Sequence, residues 1–128
     1  MKPFLQKETQ KSPYIYFHPE KGEMMIKGQS IPEDALLFYE PLYNYVNENT
    51  ENISSTLRIT VKLAYFNSSS SKCLFKLFKQ LESTYAQCDQ ELKISWYCET
   101  DDEELIKIAQ DFKKKLSIPI EIHQIDFD

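Results

Sequence analysis

The sequence predicts a single α/β domain built on a mostly parallel sheet, and three observations carry that prediction. Leu57, Ile59, Val61, Leu63 and Tyr65 alternate with Arg58, Thr60, Lys62 and Ala64, the period of a half-buried strand. Leu74, Leu77, Phe78 and Leu81 recur at i, i+3, i+4 and i+7, the apolar stripe of an amphipathic helix. Patterns of these two kinds also take turns along the chain, in the order β-β-α-β-α-β-α-β. Strands alternating with helices imply right-handed crossovers between parallel neighbours.

Taken in order, residues 1–12 are polar and without period, and read as a flexible tail. Tyr14 to Pro19 (YIYFHP) is aromatic and β-branched, hence a strand. Glu20-Lys21-Gly22 is a turn, and Glu23 to Gly28 returns as a second strand, giving an N-terminal hairpin. Ser30-Ile31-Pro32-Glu33 has the S-x-x-E form of a capping box. The helix after it carries Ala35, Tyr39, Leu42 and Val46 on one face. Pro41 inside it removes a donor, predicting a kink or a split. Asn47 to Ser55 is a polar loop. Thr56 to Phe66 is a strand, and a helix-like run starts at Cys73-Leu74. Leu92, Ile94, Trp96 and Cys98 alternate as a strand. Leu105, Ile108, Ala109, Phe112 and Leu116 mark a third helix, and Ile118 to Ile125 closes the chain as a strand.

With 128 residues, 41% of them hydrophobic and 13% aromatic, the chain suits one domain with a real core. The formal net charge of −5 argues against nucleic acid as a main partner, since phosphate contacts need clustered Lys and Arg. The three cysteines, Cys73, Cys88 and Cys98, form no C-x-x-C pair. That pattern points to thiols in a reducing cytoplasm, not to a disulfide framework or a zinc site. The first residues lack the apolar core of a signal peptide, and no window approaches the ~18–20 apolar residues of a membrane span. A cytoplasmic protein with no membrane insertion is the expectation.

Few residues suggest catalysis. His18 and His123 each stand alone in a strand-like segment, with no Ser or Cys partner at motif spacing. The chain has two glycines and no phosphate-binding Gly-rich motif. The acidic run Glu99-Thr100-Asp101-Asp102-Glu103-Glu104 lacks the spacing of a calcium loop and suits a helix N-terminus, where carboxylates meet the positive end of the dipole. No cofactor, no metal and no enzymatic activity are expected.

The unusual segment is Asn67-Ser68-Ser69-Ser70-Ser71-Lys72, between the 56–66 strand and the next helix. One serine suffices as a helix cap. The remaining hydroxyls sit where a strand ends and a helix opens, a place that favours anions. From the residues alone three readings stay open: a plain capped turn, a cradle for a phosphate-bearing ligand, or a serine that is itself phosphorylated.

Three stretches, PYIYFHPEKGEMMIKGQSIPEDA, VKLAYFNSSSSK and SWYCETDDEELIKIAQDF, together resemble the SiaC family of bacterial regulatory phosphoproteins. The resemblance runs from Pro13 to Ile125 in the right order, making residues 13–128 the regulatory domain. It implies a fold similar to the STAS domains of anti-sigma-factor antagonists. It implies a non-catalytic signalling protein switched by a partner kinase and a protein phosphatase. The unphosphorylated form would bind a diguanylate cyclase and promote cyclic di-GMP synthesis. The modified residue follows the Asn of the YFN motif and is here Ser68, where the family commonly has Thr. His18 stands where the family usually has Asp. By this reading Asn67, Ser69, Ser70, Ser71 and Lys72 orient the loop or contact the partner, and Asp101, Asp102 and Glu103 add to the same docking face. The alternative is a phosphate- or nucleotide-binding domain that uses residues 67–72 as an anion cradle.

Overall fold

A computed structural model describes residues 1–127. The elements are β1 (Phe4–Gln6), β2 (Tyr14–His18), β3 (Glu23–Ser30), α1 (Ala35–Glu48), a 3₁₀ turn (Thr50–Asn52), β4 (Leu57–Phe66), α2 (Ser68–Gln87), β5 (Leu92–Glu99), α3 (Glu103–Lys115) and β6 (Ile120–Ile125). The strands form one sheet in sequential order, β1 to β6. β1, β2 and β3 pair antiparallel, and β3, β4, β5 and β6 pair parallel. The mixed sheet with its N-terminal hairpin is the one the sequence predicts.

Sequential order has a geometric consequence. Each crossover steps one strand in the same direction, and each is right-handed, so α1, α2 and α3 all land on one face. The packing shows it. Trp96 of β5 meets Phe78 of α2 at 6.1 Å and Phe112 of α3 at 5.1 Å, ring to ring. Phe17 of β2 meets Tyr45 of α1 at 5.7 Å. Along β4 up to Leu63 and along β5 the buried side chains are Leu57, Ile59, Val61, Leu63, Leu92, Ile94, Trp96 and Cys98. The residues between them stand on the opposite face, which no helix covers.

Four local expectations are corrected. Residues 1–12 are not a loose tail: Phe4, Leu5 and Gln6 pair with Phe17, Tyr16 and Ile15 as a sixth strand. A turn then ties Thr9 to Ser12, and the Ile31 amide donates to Lys11 O. Three residues are too few to show a period, so pairing with β2 makes this strand, not its own pattern. The capping box is not formed. Ser30 is the last residue of β3, fully buried, and α1 is capped by Asp34, whose side chain accepts from the Leu37 amide at 3.1 Å. Of the kink or split expected at Pro41, the split does not occur: α1 runs unbroken from Ala35 to Glu48, and Pro41 and Leu37, whose carbonyl loses its donor, are both exposed to water. Tyr65 does not follow Leu63 into the core. Gly28 pairs with Leu63 but Gln29 pairs with Tyr65, so Ala64 is an extra residue and β4 bulges. The bulge inverts the alternation: Phe66 is buried and Tyr65 is 45% exposed. Gly28, across from it, has φ +107°, a backbone that side-chain-bearing residues rarely adopt.

Candidate functional site

The serine segment is not a loop. Asn67 alone separates β4 from α2, and Ser68 is already helical. The serines carry no apolar period, so sequence spacing places the helix start five residues late. Asn67 is extended (φ −85°, ψ 176°), and its Oδ1 accepts from the Ser70 amide at 2.9 Å, the N-cap bond to N3. Its own amide donates to Ser30 O at 3.2 Å, fixing the entrance against the end of β3. The cap is therefore Asn67 and none of the serines.

The four hydroxyls then separate by helical geometry. Ser68 and Ser69 are exposed, Ser70 is fully buried, and Ser71 is half-buried. Ser70 turns inward and receives a hydrogen bond from the Ser30 hydroxyl at 2.8 Å. Ser30 lies 2.7 Å from the Tyr39 hydroxyl. Since Ser30 has one proton and gives it to Ser70, Tyr39 is the donor in that contact. The buried chain Tyr39–Ser30–Ser70 thus ties α1, β3 and the first turn of α2 together. Burial pushes the Tyr39 hydroxyl well above the usual phenol range. A second tie follows one turn on, where Tyr43 O–H donates to Cys73 O at 2.8 Å and Lys76 lies 4.8 Å over the Tyr43 ring. Ser30 and Tyr39 were not legible as site residues; an isolated serine and a tyrosine at core spacing carry no pattern of their own.

Ser71 and Lys72 line a hollow of about 290 Å³ between α2 and α3, with Phe75, Asp111, Phe112 and Lys115. Lys72 is exposed and four residues beyond Ser68, hence one turn along on the same side of the helix. Ser68 and Ser69 occupy the first two helical positions, whose backbone N–H groups have no intrahelical acceptor. Of residues 67–72, these are the two whose amides the helix cap leaves free.

The acidic run opens α3 in the corresponding place. Asp102 caps that helix, accepting from the Leu105 amide at 3.2 Å, and Glu103 and Glu104 fill its first turn. Asp101 precedes the cap in a left-handed conformation, φ +71°, which Asp adopts more readily than most residues. Beneath it, burial and the nearby Asp102 charge push the Cys98 thiol up to about 11. β4 and β5 are parallel neighbours, so both entrances lie on one edge of the sheet, outside the strand C-termini. The fold brings Asn67 to Lys72 and Asp101 to Glu103 to that one edge. Asn67 and Asp102 hold backbone there and Ser70 turns into the core, whereas Ser68, Ser69, Lys72, Asp101 and Glu103 face outward.

The histidines have local partners. His18 Nδ1 accepts from the Lys21 amide at 3.3 Å, closing the β2–β3 turn. His123 lies 3.5 Å from Glu121 and stacks on Tyr97. Among the described residues no cluster of three His, Cys, Asp or Glu converges on a metal position, and no helix is long and apolar enough to cross a membrane.

A family model described as the SiaC family regulatory phosphoprotein matches residues 6–125. The chain belongs to the SiaC family. An uncharacterised protein of Pseudomonas aeruginosa strain UCBPP-PA14 is 24% identical over 118 residues, covering 92% of this chain and 93% of that one. The structure of SiaC of Pseudomonas aeruginosa superposes with TM-score 0.81 at 22% identity, covering 96% of this chain and all of that one. A chain in the crystal structure of the diguanylate cyclase SiaD in complex with its activator SiaC, from the same organism, gives TM-score 0.83 at 22% identity. That match covers 95% of this chain and 99% of the other. These SiaC structures share the fold described above, from the antiparallel hairpin to the last parallel strand.

Proposed function

We propose that this chain is a non-catalytic cytoplasmic phospho-switch, modified on Ser68 by a partner kinase, reset by a phosphatase, and binding a diguanylate cyclase when unmodified. The observation that carries the reading is electrostatic. α1 is capped by Asp34, and α3 by Asp102 with two glutamates behind it, whereas α2 has a neutral Asn cap and no carboxylate in its first turn. Of the three helix entrances, only this one leaves the dipole and two free amides available to an added dianion. An exposed hydroxyl, Ser68, stands there.

Phosphorylation adds about −1.5 to −2 charges at neutral pH. Within the chain that charge meets the helix N-terminus and Lys72, so the domain tolerates it. The effect falls on the partner. Five large hydrophobic side chains are exposed among the described residues, and three of them, Leu36, Leu37 and Tyr65, lie at this edge of the sheet. A phosphate beside them makes docking carry the desolvation of a charge. The acidic positions Asp101 and Glu103 sharpen the effect by raising the local negative potential. The reading also draws on the family, whose solved complex pairs SiaC, as activator, with the cyclase SiaD.

The test uses the cognate diguanylate cyclase, identified by pull-down from the native cells. Cyclic di-GMP synthesis is measured with wild type, Ser68→Ala and Ser68→Asp. Wild type and Ser68→Ala are expected to activate it equally, and Ser68→Asp to do so at least ~10-fold less, equivalent to about 1.4 kcal/mol of binding. Equal activation by all three would remove Ser68 as the switch.

A further inference from the structure

The sheet face turned away from the helices sets like charges opposite one another. Lys27 of β3 lies directly across from Lys62 of β4, and Arg58 of β4 directly across from Lys93 of β5. All four side chains are exposed. Like charges at directly opposed positions destabilise a sheet, and here two such pairs occur four residues apart along β4. Among the described residues no carboxylate comes within 4.0 Å of any of the four. The carboxylates on this face are held elsewhere: Glu121 by His123, and Glu99 by the Phe127 amide at 2.9 Å. Glu23 is opposite Arg58 in register but makes no ion pair with it. In a chain of net charge −5, this face has four cations against three carboxylates. Tyr14 and Tyr16 of β2, Met25 of β3 and Tyr97 of β5 are half-buried on the same face.

We propose that this open face docks an acidic segment of a partner protein. Arg58 and Lys62 are four residues apart on β4, about 13 Å along the strand, so the segment runs along β4 and places carboxylates between the opposed cations. A protein segment fits better than single-stranded nucleic acid. Base recognition needs free aromatic faces, and here two of the three half-buried tyrosines of this face, Tyr14 and Tyr97, already have covers. Lys27 sits 5.0 Å over Tyr14, Lys62 sits 5.1 Å over Phe127, and Tyr97 and His123 stack on each other at 4.9 Å. The site lies on the sheet face, not at the edge that bears Ser68, and it stands or falls independently of the switch.

The test titrates the full chain with three probes: a fluorescein-labelled twelve-residue peptide of glutamate and phenylalanine, a twelve-nucleotide single-stranded DNA, and phosphatidylserine vesicles. The peptide is expected to bind and to weaken at least ~5-fold in Lys27→Gln/Lys62→Gln and again when salt rises from 50 to 300 mM. Ser68→Asp is expected to leave peptide binding unchanged. Amide shifts in ¹⁵N spectra should fall on β3, β4 and β5. Each Lys→Gln variant is also expected to melt about 1–2 °C higher, because an opposed like-charge pair is removed. Peptide binding that ignores the double substitution, or is weaker than binding of the DNA or the vesicles, overturns the proposal. So does a lower melting temperature in both single variants, which would make the lysines structural.

Discussion

Two helix entrances lie side by side on one edge of this sheet, built by the same rule and filled in opposite ways. At α2, Asn67 caps and serines follow; at α3, Asp102 caps and glutamates follow. In both, a side-chain oxygen accepts from the amide three residues on, at 2.9 Å and 3.2 Å. The geometry is thus common, and the difference is charge. The entrance of α3 already holds the anions that a helix N-terminus attracts. The entrance of α2 holds none, and offers hydroxyls where the other offers carboxylates. A modification that adds negative charge is redundant at α3 and new information at α2. The serines at α2 are themselves divided, Ser68 and Ser69 facing water and Ser70 facing the core.

That division gives the largest expected effect. Ser70→Asp places a carboxylate at a fully buried position, against the Ser30 hydroxyl and with no cation. An uncompensated buried charge of this kind costs about 3–5 kcal/mol, a large part of the ~5–15 kcal/mol that holds a domain together. Urea denaturation should show the midpoint collapse, while the same substitution two residues earlier, Ser68→Asp, leaves the midpoint nearly in place. If both substitutions behave alike, the serines are not separated by burial, and the comparison fails at its base.

The sequence carried the fold further than it carried this separation. Alternation along Leu57 to Leu63 was readable because each residue's face is set by the next residue's. It failed at Tyr65 because the bulge at Ala64 depends on Gly28, on another strand. β1 was unreadable for the same reason: three residues become a strand only by pairing with β2. The S-x-x-E signal at Ser30 is a local rule, and a tertiary contact overrode it; the hydroxyl that suits a cap instead joins Tyr39 to Ser70. At the candidate site, position along the chain showed a strand end and a helix entrance. Periodicity could not tell four serines apart, and Ser68 was singled out by family resemblance alone. The division into exposed and buried hydroxyls needed the helix phase, which follows from Asn67 being the cap.

A smaller effect sharpens the comparison of the two caps. Asn67→Ala and Asp102→Ala each remove one bond to an N3 amide, and each should cost about 1 kcal/mol. They should differ in their dependence on salt. Asn67 is neutral, so its loss costs the same at any ionic strength. Asp102 also acts through charge, but beside Asp101, Glu103 and Glu104 its charge is partly self-defeating. Raising salt screens both the attraction to the dipole and the repulsion among the acids. Denaturation at low and high salt should therefore show a constant deficit for Asn67→Ala and a changing one for Asp102→Ala. Parallel behaviour would mean that the caps differ in name only.

The smallest effect has the most informative sign. Ser68→Asp puts a single charge at the first position of a helix whose entrance has none. The dipole and the two unpaired amides should stabilise the chain by about 0.3–1 kcal/mol, or roughly 1–5 °C in melting temperature. A matching substitution beside the other entrance, Thr100→Asp, adds a sixth acid to a run that Glu99, Asp101, Asp102, Glu103 and Glu104 already crowd, and should lower stability instead. Opposite signs at neighbouring entrances would mean that the protein itself favours a charge at Ser68. The same charge that weakens partner activation would then leave the domain intact or firmer. The loss of activation could not be put down to unfolding, because the two effects run in opposite directions.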